Sequence, residues 1–279
     1  MTERAWQIVV DPDDPRVEAY RSIRERDLVG RQGRFVAEGE VVLRVLVERS
    51  HFPIESVLAS AARAKALTPL LAKLPAEVPI YVADPPVLDR VAGFSIHRGL
   101  LAIGRRGPET NAAARLAALP ERALVVGLVG IANHDNMGGI FRNAAAFGAD
   151  LVLLDETSCD PLYRKAIRVS VGGALVVPFA RAGSADDLVS QLAAAGFELF
   201  ALSPAGEVTL DQLSPAPRTA LLLGAEGPGL PAAVLERTRR VSIPMAGGFD
   251  SLNVATASGI ALHHVFRHQD TVQTSPVGA

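Results

Sequence analysis

Residues 241–264 read VSIPMAGGFDSLNVATASGIALHH, and the rest of the chain is organised around them. Residues 241–245 read as a short apolar strand and residues 246–250 as a turn. Ser251-Leu252-Asn253 then opens a helix rich in Ala, Ser and Gly. A strand that stops at a Gly-rich turn exposes backbone N–H groups, and the following helix N-terminus adds more. Such a junction can hold a ligand through backbone contacts. It can equally be an ordinary capped helix, because Ser, Asn and Asp favour these positions in any case. The stretch alone leaves both readings open.

Upstream, residues 122–279 keep a regular α/β rhythm. Strands are expected at 124–129, 151–154, 175–179, 198–202, 220–223 and 240–245. Helices are expected at 138–147, 161–170, 186–195, 231–239 and 253–268. Apolar strands alternating with helices imply a mostly parallel sheet covered on both faces. Ligands of such sheets sit beyond the carboxyl ends of the strands. Residues 1–105 read as a smaller α/β module with strands at 34–38, 54–59, 80–83 and 100–103, and helices at 14–27, 40–49 and 61–74. Residues 106–121 read as a linker.

Composition narrows the function classes. The chain has 279 residues, 49% of them hydrophobic and 21% charged, so it folds around a substantial core. Aromatics are only 5%, which argues against a broad base-stacking platform. The net charge of −2 and pI near 6.3 do not describe a nonspecific nucleic-acid coat, although total charge averages over faces. One local exception is the run Arg16, Arg21, Arg24, Arg26, Arg31 and Arg34 against Glu18, Glu25 and Asp27. It reads either as an RNA-facing edge or as a solvated helix face laced with i,i+4 pairs. The lone Cys159 permits no internal disulfide, and no Cys/His spacing suggests a metal. No apolar run is long enough for a membrane span, and the first residues (MTERAWQIVV) lack the form of a signal peptide. A cytoplasmic protein without metal is expected.

Three loops carry the candidate chemistry. They are GIANHDNMGGIFR (residues 130–142), GAEGPGL (residues 224–230) and the opening stretch. None contains the dinucleotide fingerprint G-x-G-x-x-G or the phosphate loop G-x-x-x-x-G-K-[ST], so a Rossmann-like nucleotide enzyme is disfavoured. Ser251 lacks the G-x-S-x-G elbow of a hydrolase.

Together, N-x-G-x-x-x-R (136–142), L-G-A-E-G-P-G-L (223–230) and I-P-M-x-G-x-x-x-S-L-N-V-A-x-A (243–257) resemble motifs one to three of the SpoU (TrmH-like) branch of the SPOUT RNA methyltransferases, in the same order and spacing. Residues 1–105 are similar, through F-V-A-E-G-E (35–40) and H-R-G-L-L-A (97–102), to the L30e-like RNA-binding domain often fused upstream. The resemblance implies a SPOUT-type parallel sheet whose C-terminal segment threads a deep trefoil knot, and a homodimer formed through the C-terminal domain. It implies S-adenosyl-L-methionine as cofactor, held near Leu202, Ser203, Gly224, Glu226, Gly229, Ile243, Met245 and Leu252. The implied reaction is methyl transfer to a ribose 2′-hydroxyl of structured RNA, with rRNA ahead of tRNA. Arg142, Asn136, Glu226, Ser251 and Asn253 are its implied catalytic residues. Ala255, Ala257, Gly259 and Ala261 would give the last helix a face for close packing. A knotted RNA-binding protein without activity stays open as a rival. One departure stands out: Asn133-His134-Asp135 precede Asn136 where relatives often carry Asp-Pro.

Overall fold

In a computed structural model, which describes residues 5–21, 29, 32–93, 96, 99–247 and 251–273, the chain forms two compact units. The first comprises Met1–Pro108 and Leu162–Val176. The second comprises Glu109–Pro161 and Val177–Ala279.

The first unit is a mixed five-stranded sheet built from β1 (Gln7–Ile8), β2 (Arg34–Glu38), β3 (Ile54–Ala59), β4 (Ile80–Val82) and β5 (Leu100–Arg105), in the order β1-β4-β3-β5-β2. β5 runs antiparallel to both of its neighbours. Val36, Leu58, Leu101 and Ile103 bury one face with Tyr20 and Leu88. Of the helix expected at 14–27, the described part is a 3-10 turn, Pro15–Tyr20, started by Asp14, whose side chain accepts from the Arg16 amide, and residues 22–27 lie outside the described residues. Arg24, Arg26 and Arg31 of the arginine run, His97 and Arg98 of the upstream motif, and Gly248 of the opening stretch lie outside the described residues. Arg16 donates to Asp14 and to the carbonyl of Ile8, Arg21 to the carbonyls of Pro12 and Asp14, and Arg34 to Glu55. These arginines hold the unit's own framework. The expected helix 61–74 splits into Ala61–Ala66 and Thr68–Leu71, because Pro69 cannot continue the first one.

The second unit is a seven-stranded sheet of β6 (Ala123–Val129), β7 (Leu151–Leu154), β8 (Phe179–Arg181), β9 (Glu198–Leu202), β10 (Val208–Thr209), β11 (Arg218–Gly224) and β12 (Arg239–Ser242). Its order is β10-β12-β9-β11-β6-β7-β8, and every neighbouring pair is parallel. Fully buried β6 reads ALVVGLV, the continuous apolar run expected of a strand covered on both faces. Its core joins Val125, Leu151, Leu188, Leu192 and Leu222.

Two readings of this half need correction. Residues 106–121 are not wholly a linker, since Ala112–Ala117 is a helix capped by the Asn111 side chain. Ala112 and Leu116 from that helix join the second core. The apolar run at 175–179 is not one strand either. Gly173–Leu175 is a 3-10 turn and the strand starts at Phe179. This turn belongs to Leu162–Val176, which packs with the first unit although the sequence rhythm runs through it. There Arg164 Nη1 donates to Glu38 Oε2 at 3.0 Å, and a Cβ on Gly172 would lie 2.9 Å from Val45.

The topology sets up the site. β12 lies on one side of β9, while the helix Val254–Gln273 that follows it packs on His134–Ala146, the helix after β6. Ile243, Met245 and Ser251–Asn253, which lie between β12 and that helix, thereby come beside the ends of β9 and β11.

Candidate active site

The carboxyl ends of β9, β11 and β12 enclose a cavity of about 480 Å³ within the second unit. Leu202, Ser203, Gly224, Glu226, Gly229, Ile243, Met245 and Leu252 all line it, as do Ser251 and Asn253. The walls are largely backbone and apolar side chain, and cavities of a few hundred Å³ suit small-molecule ligands.

Each wall has a local cause. After β9, the Ser203 amide donates to the carbonyl of Val241 at 3.0 Å and the Gly206 amide donates back to Ser203, so the chain turns tightly at the strand end. After β11, Gly224 runs against the returning loop. A Cβ there would lie 2.3 Å from the Gly229 carbonyl carbon and 2.4 Å from the Leu230 amide nitrogen, so only glycine fits. The Gly229 amide closes that loop on the carbonyl of Ala225 at 3.0 Å.

Asn253 joins the three motifs. Its Nδ2 donates to Asn136 Oδ1 at 2.8 Å and to Glu226 Oε1 at 2.9 Å. Its Oδ1 accepts from the amides of Ala255 and Thr256, capping the helix Val254–Gln273. One side chain thereby fixes the helix start and orients a buried amide (Asn136, 6% exposed) and an exposed carboxylate. Such a bridge is neutral on one side and charge-assisted on the other.

The helix carrying Asn136 starts earlier than its glycines suggest, at His134 rather than Gly138. Asn133 caps it by accepting from the amides of Asp135 and Asn136. The Gly138–Gly139 pair lies inside this helix, and Gly139 serves close packing: a Cβ there would lie 2.6 Å from that of Ala255. Asn143 completes the seam, its Nδ2 donating to the Ala255 carbonyl at 2.7 Å and to Ser258 Oγ at 2.9 Å. The small residues of the last helix thus have separate uses. Ala255 and Gly259 admit the neighbouring helix, Ala257 lines the cavity and Ala261 is buried.

Arg142 stands apart. It is exposed on the same helix as Asn136, outside the cavity lining, and among the described residues it makes no ion pair. Sequence reasoning missed Pro204, Leu223, Ala225, Gly227, Val241, Val254 and Ala257 as lining residues, although all but Val241 and Ala257 adjoin one it named. It also missed the Asn143 clasp, for which the sequence offers no sign. Among the described residues, no group of three or more His, Cys, Asp and Glu could hold a metal ion, and no helix is long and apolar enough to cross a membrane.

The profile of the SpoU rRNA Methylase family matches residues 123–263, which span every element of this cavity. The chain belongs to the SpoU family. A protein of Mycobacterium tuberculosis described as an uncharacterized tRNA/rRNA methyltransferase is 41% identical over 266 residues, covering 92% of this chain and 90% of its own length. Among solved structures, the AdoMet-bound rRNA methyltransferase from Sinorhizobium meliloti has a TM-score of 0.81 at 24% identity, covering 94% of this chain and 98% of that one. The SpoU methyltransferase AviRb from Streptomyces viridochromogenes, in complex with AdoMet, has a TM-score of 0.75 at 25% identity, covering 91% and 97%. Both likenesses cover more than nine-tenths of this chain. The chain is an RNA methyltransferase of this family, with its parallel-sheet α/β fold.

Proposed function

We propose that this SpoU protein transfers a methyl group from S-adenosyl-L-methionine to a ribose 2′-hydroxyl of rRNA. The observation that carries this reading is the Asn253 bridge, which joins Asn136 and Glu226 at the rim of a cavity lined by backbone. The cavity suits the cofactor: its volume falls in the small-molecule range, and its narrowest wall tolerates no side chain at Gly224. Leu202, Ser203, Gly224, Gly229, Ile243, Met245 and Leu252 would hold the cofactor, with Glu226 at the edge. When bound, it supplies an electrophilic methyl group on a sulfonium.

The protein's part is to place the hydroxyl in line and ease loss of its proton. Guanidinium stays protonated in proteins, so Arg142 is no base. Its exposed charge holds an RNA phosphate and stabilises negative charge growing on the 2′-oxygen. Asn136, Ser251 and Asn253 shape the acceptor side of the pocket through hydrogen bonds.

The wider reading follows the motifs. The first unit is an L30e-like RNA-binding domain, the passage from β12 to the last helix threads a deep trefoil knot, and the last helix lies at the seam of a homodimer. The family's description supports rRNA as substrate. Calorimetry with S-adenosyl-L-methionine tests the core of the proposal, and absence of binding overturns it. Labelled cofactor with separate rRNA and tRNA fractions, followed by nucleoside mapping, tests the acceptor. Label on a base, or on tRNA alone, overturns the finer assignment.

A further inference from the structure

We propose that Asp155 and Ser158, in the turn after β7, are positioning residues for methyl transfer; this rests on the function proposed above. Asp155 is 3% exposed and both of its carboxylate oxygens accept hydrogen bonds. Oδ1 accepts from the Gly130 amide at 3.1 Å, the Ser158 amide at 2.8 Å and Ser158 Oγ at 2.6 Å, while Oδ2 accepts from Thr157 Oγ1 at 2.5 Å. Ser158 Oγ in turn accepts from the Ile131 amide at 3.0 Å, and the Cys159 amide donates to the Ile131 carbonyl at 2.8 Å. From the next strand, Arg181 Nη1 donates to the carbonyls of Asp155 and Ser158, holding the turn from behind.

Gly130 and Ile131 are where β6 gives way to the first motif. Two residues later Asn133 caps the helix that presents Asn136 to Asn253. Gly130 also has φ +70°, and a Cβ on it would lie 3.2 Å from that of Ala225, the residue before Glu226. The Asp155 turn therefore sets the start of the first motif against the second, without itself lining the cavity. A buried carboxylate with so many donors costs desolvation that its hydrogen bonds must offset, and such a network fixes one backbone path in preference to its neighbours. The expected consequence is on alignment of the reacting groups rather than on cofactor affinity, because misplacement by about 1 Å can cost roughly 100-fold in rate.

The test compares Asp155→Ala, Ser158→Ala and Asp155→Asn in the full chain. An asparagine retains an oxygen for Gly130 and Ser158, and its amide can donate to Thr157 Oγ1, so it should rescue. Well below the Tm of each variant, the two alanine variants should lower kcat on rRNA by at least about tenfold, with the S-adenosyl-L-methionine Kd within about twofold of the parent. Amide hydrogen exchange at Gly130 and Ile131 should quicken in both, while that of residues 251–257 stays put. A lowered Tm with kcat unchanged would assign the turn to stability alone and overturn the proposal, as would unchanged exchange at Gly130 and Ile131. Should the parent protein methylate neither rRNA nor tRNA, the proposed function fails on its own. The exchange measurement then still decides whether this turn fixes the first motif.

Discussion

The two units of this SpoU protein carry opposite charge. The first holds 19 Lys and Arg against 14 Asp and Glu, and the second 9 against 16. A net −2 for the whole chain hides this division. The means of construction differ too. In the first unit, charged pairs tie strands and segments together: Glu55 spans Arg34 and Arg105, and Glu38 meets Arg164. In the second, ion pairs such as Arg240–Glu207 and Arg239–Glu198 lie outside the cavity lining, and the site is set by amide hydrogen bonds and close backbone approach. A positive unit suits a polyanion, whereas a site built mainly from backbone and amide groups, with Glu226 as its one carboxylate among the described lining residues, is less sensitive to ionic conditions.

The sharpest way to break this contrast is Gly224→Ala. The added methyl meets backbone on the returning loop, so S-adenosyl-L-methionine affinity should fall by at least about 100-fold in calorimetry. Retained affinity would mean that close approach does not build this wall. Arg142→Lys probes an exposed charge of the second unit that makes no ion pair among the described residues. Turnover should drop by about ten- to a hundredfold while RNA binding by filter assay changes little, because ammonium lacks the planar fork. Near-normal turnover would remove Arg142 from the chemistry. Raising salt from about 50 to 200 mM should weaken RNA binding by roughly tenfold or more and leave cofactor affinity nearly unchanged. Equal sensitivity in both would erase the distinction between the units.

The smallest effect concerns pH. Burial works to raise the Glu55 carboxyl, but its hydrogen bonds to Arg34 and Arg105 outweigh this and hold it below the usual carboxylate range. A depressed carboxylate contributes stability above its unfolded pKa and loses it as pH falls through the folded one. Thermal melts should thus show extra loss of stability below about pH 4.5 in the parent, muted in Glu55→Gln, a difference on the order of 1 kcal/mol. Identical acid profiles would make these pairs decorative.

The site was more legible than the fold around it. The named cavity residues sit at strand ends and helix starts, where glycine, proline and asparagine betray backbone geometry directly. Gly224 and Asn253 are required by contacts a few residues away or by a cap, and both leave a local trace. The Gly138–Gly139 pair misled in the other direction. It suggested a helix start, whereas Gly139 answers to Ala255 across the seam. Leu175 and Val177 are apolar because they are buried, and burial has no period of its own. For the same reason nothing local announced that Leu162–Val176 packs with the first unit, or that Asn143 reaches the last helix. The two-residue strand β10 is too short to leave any pattern.

That returning segment bears on the order of synthesis. The chain leaves the first unit after Pro108 and rejoins it at Leu162–Val176, after more than fifty residues of the second have been made. At translation speeds of about 5–20 residues per second, the first unit waits several seconds for its last piece. During that interval β2, at the edge of its sheet, lacks the helix Arg164–Val169 that later packs on it, and Glu38 lacks its arginine. The N-terminal unit is thus begun first, yet it cannot be finished until about a third of the second unit is made.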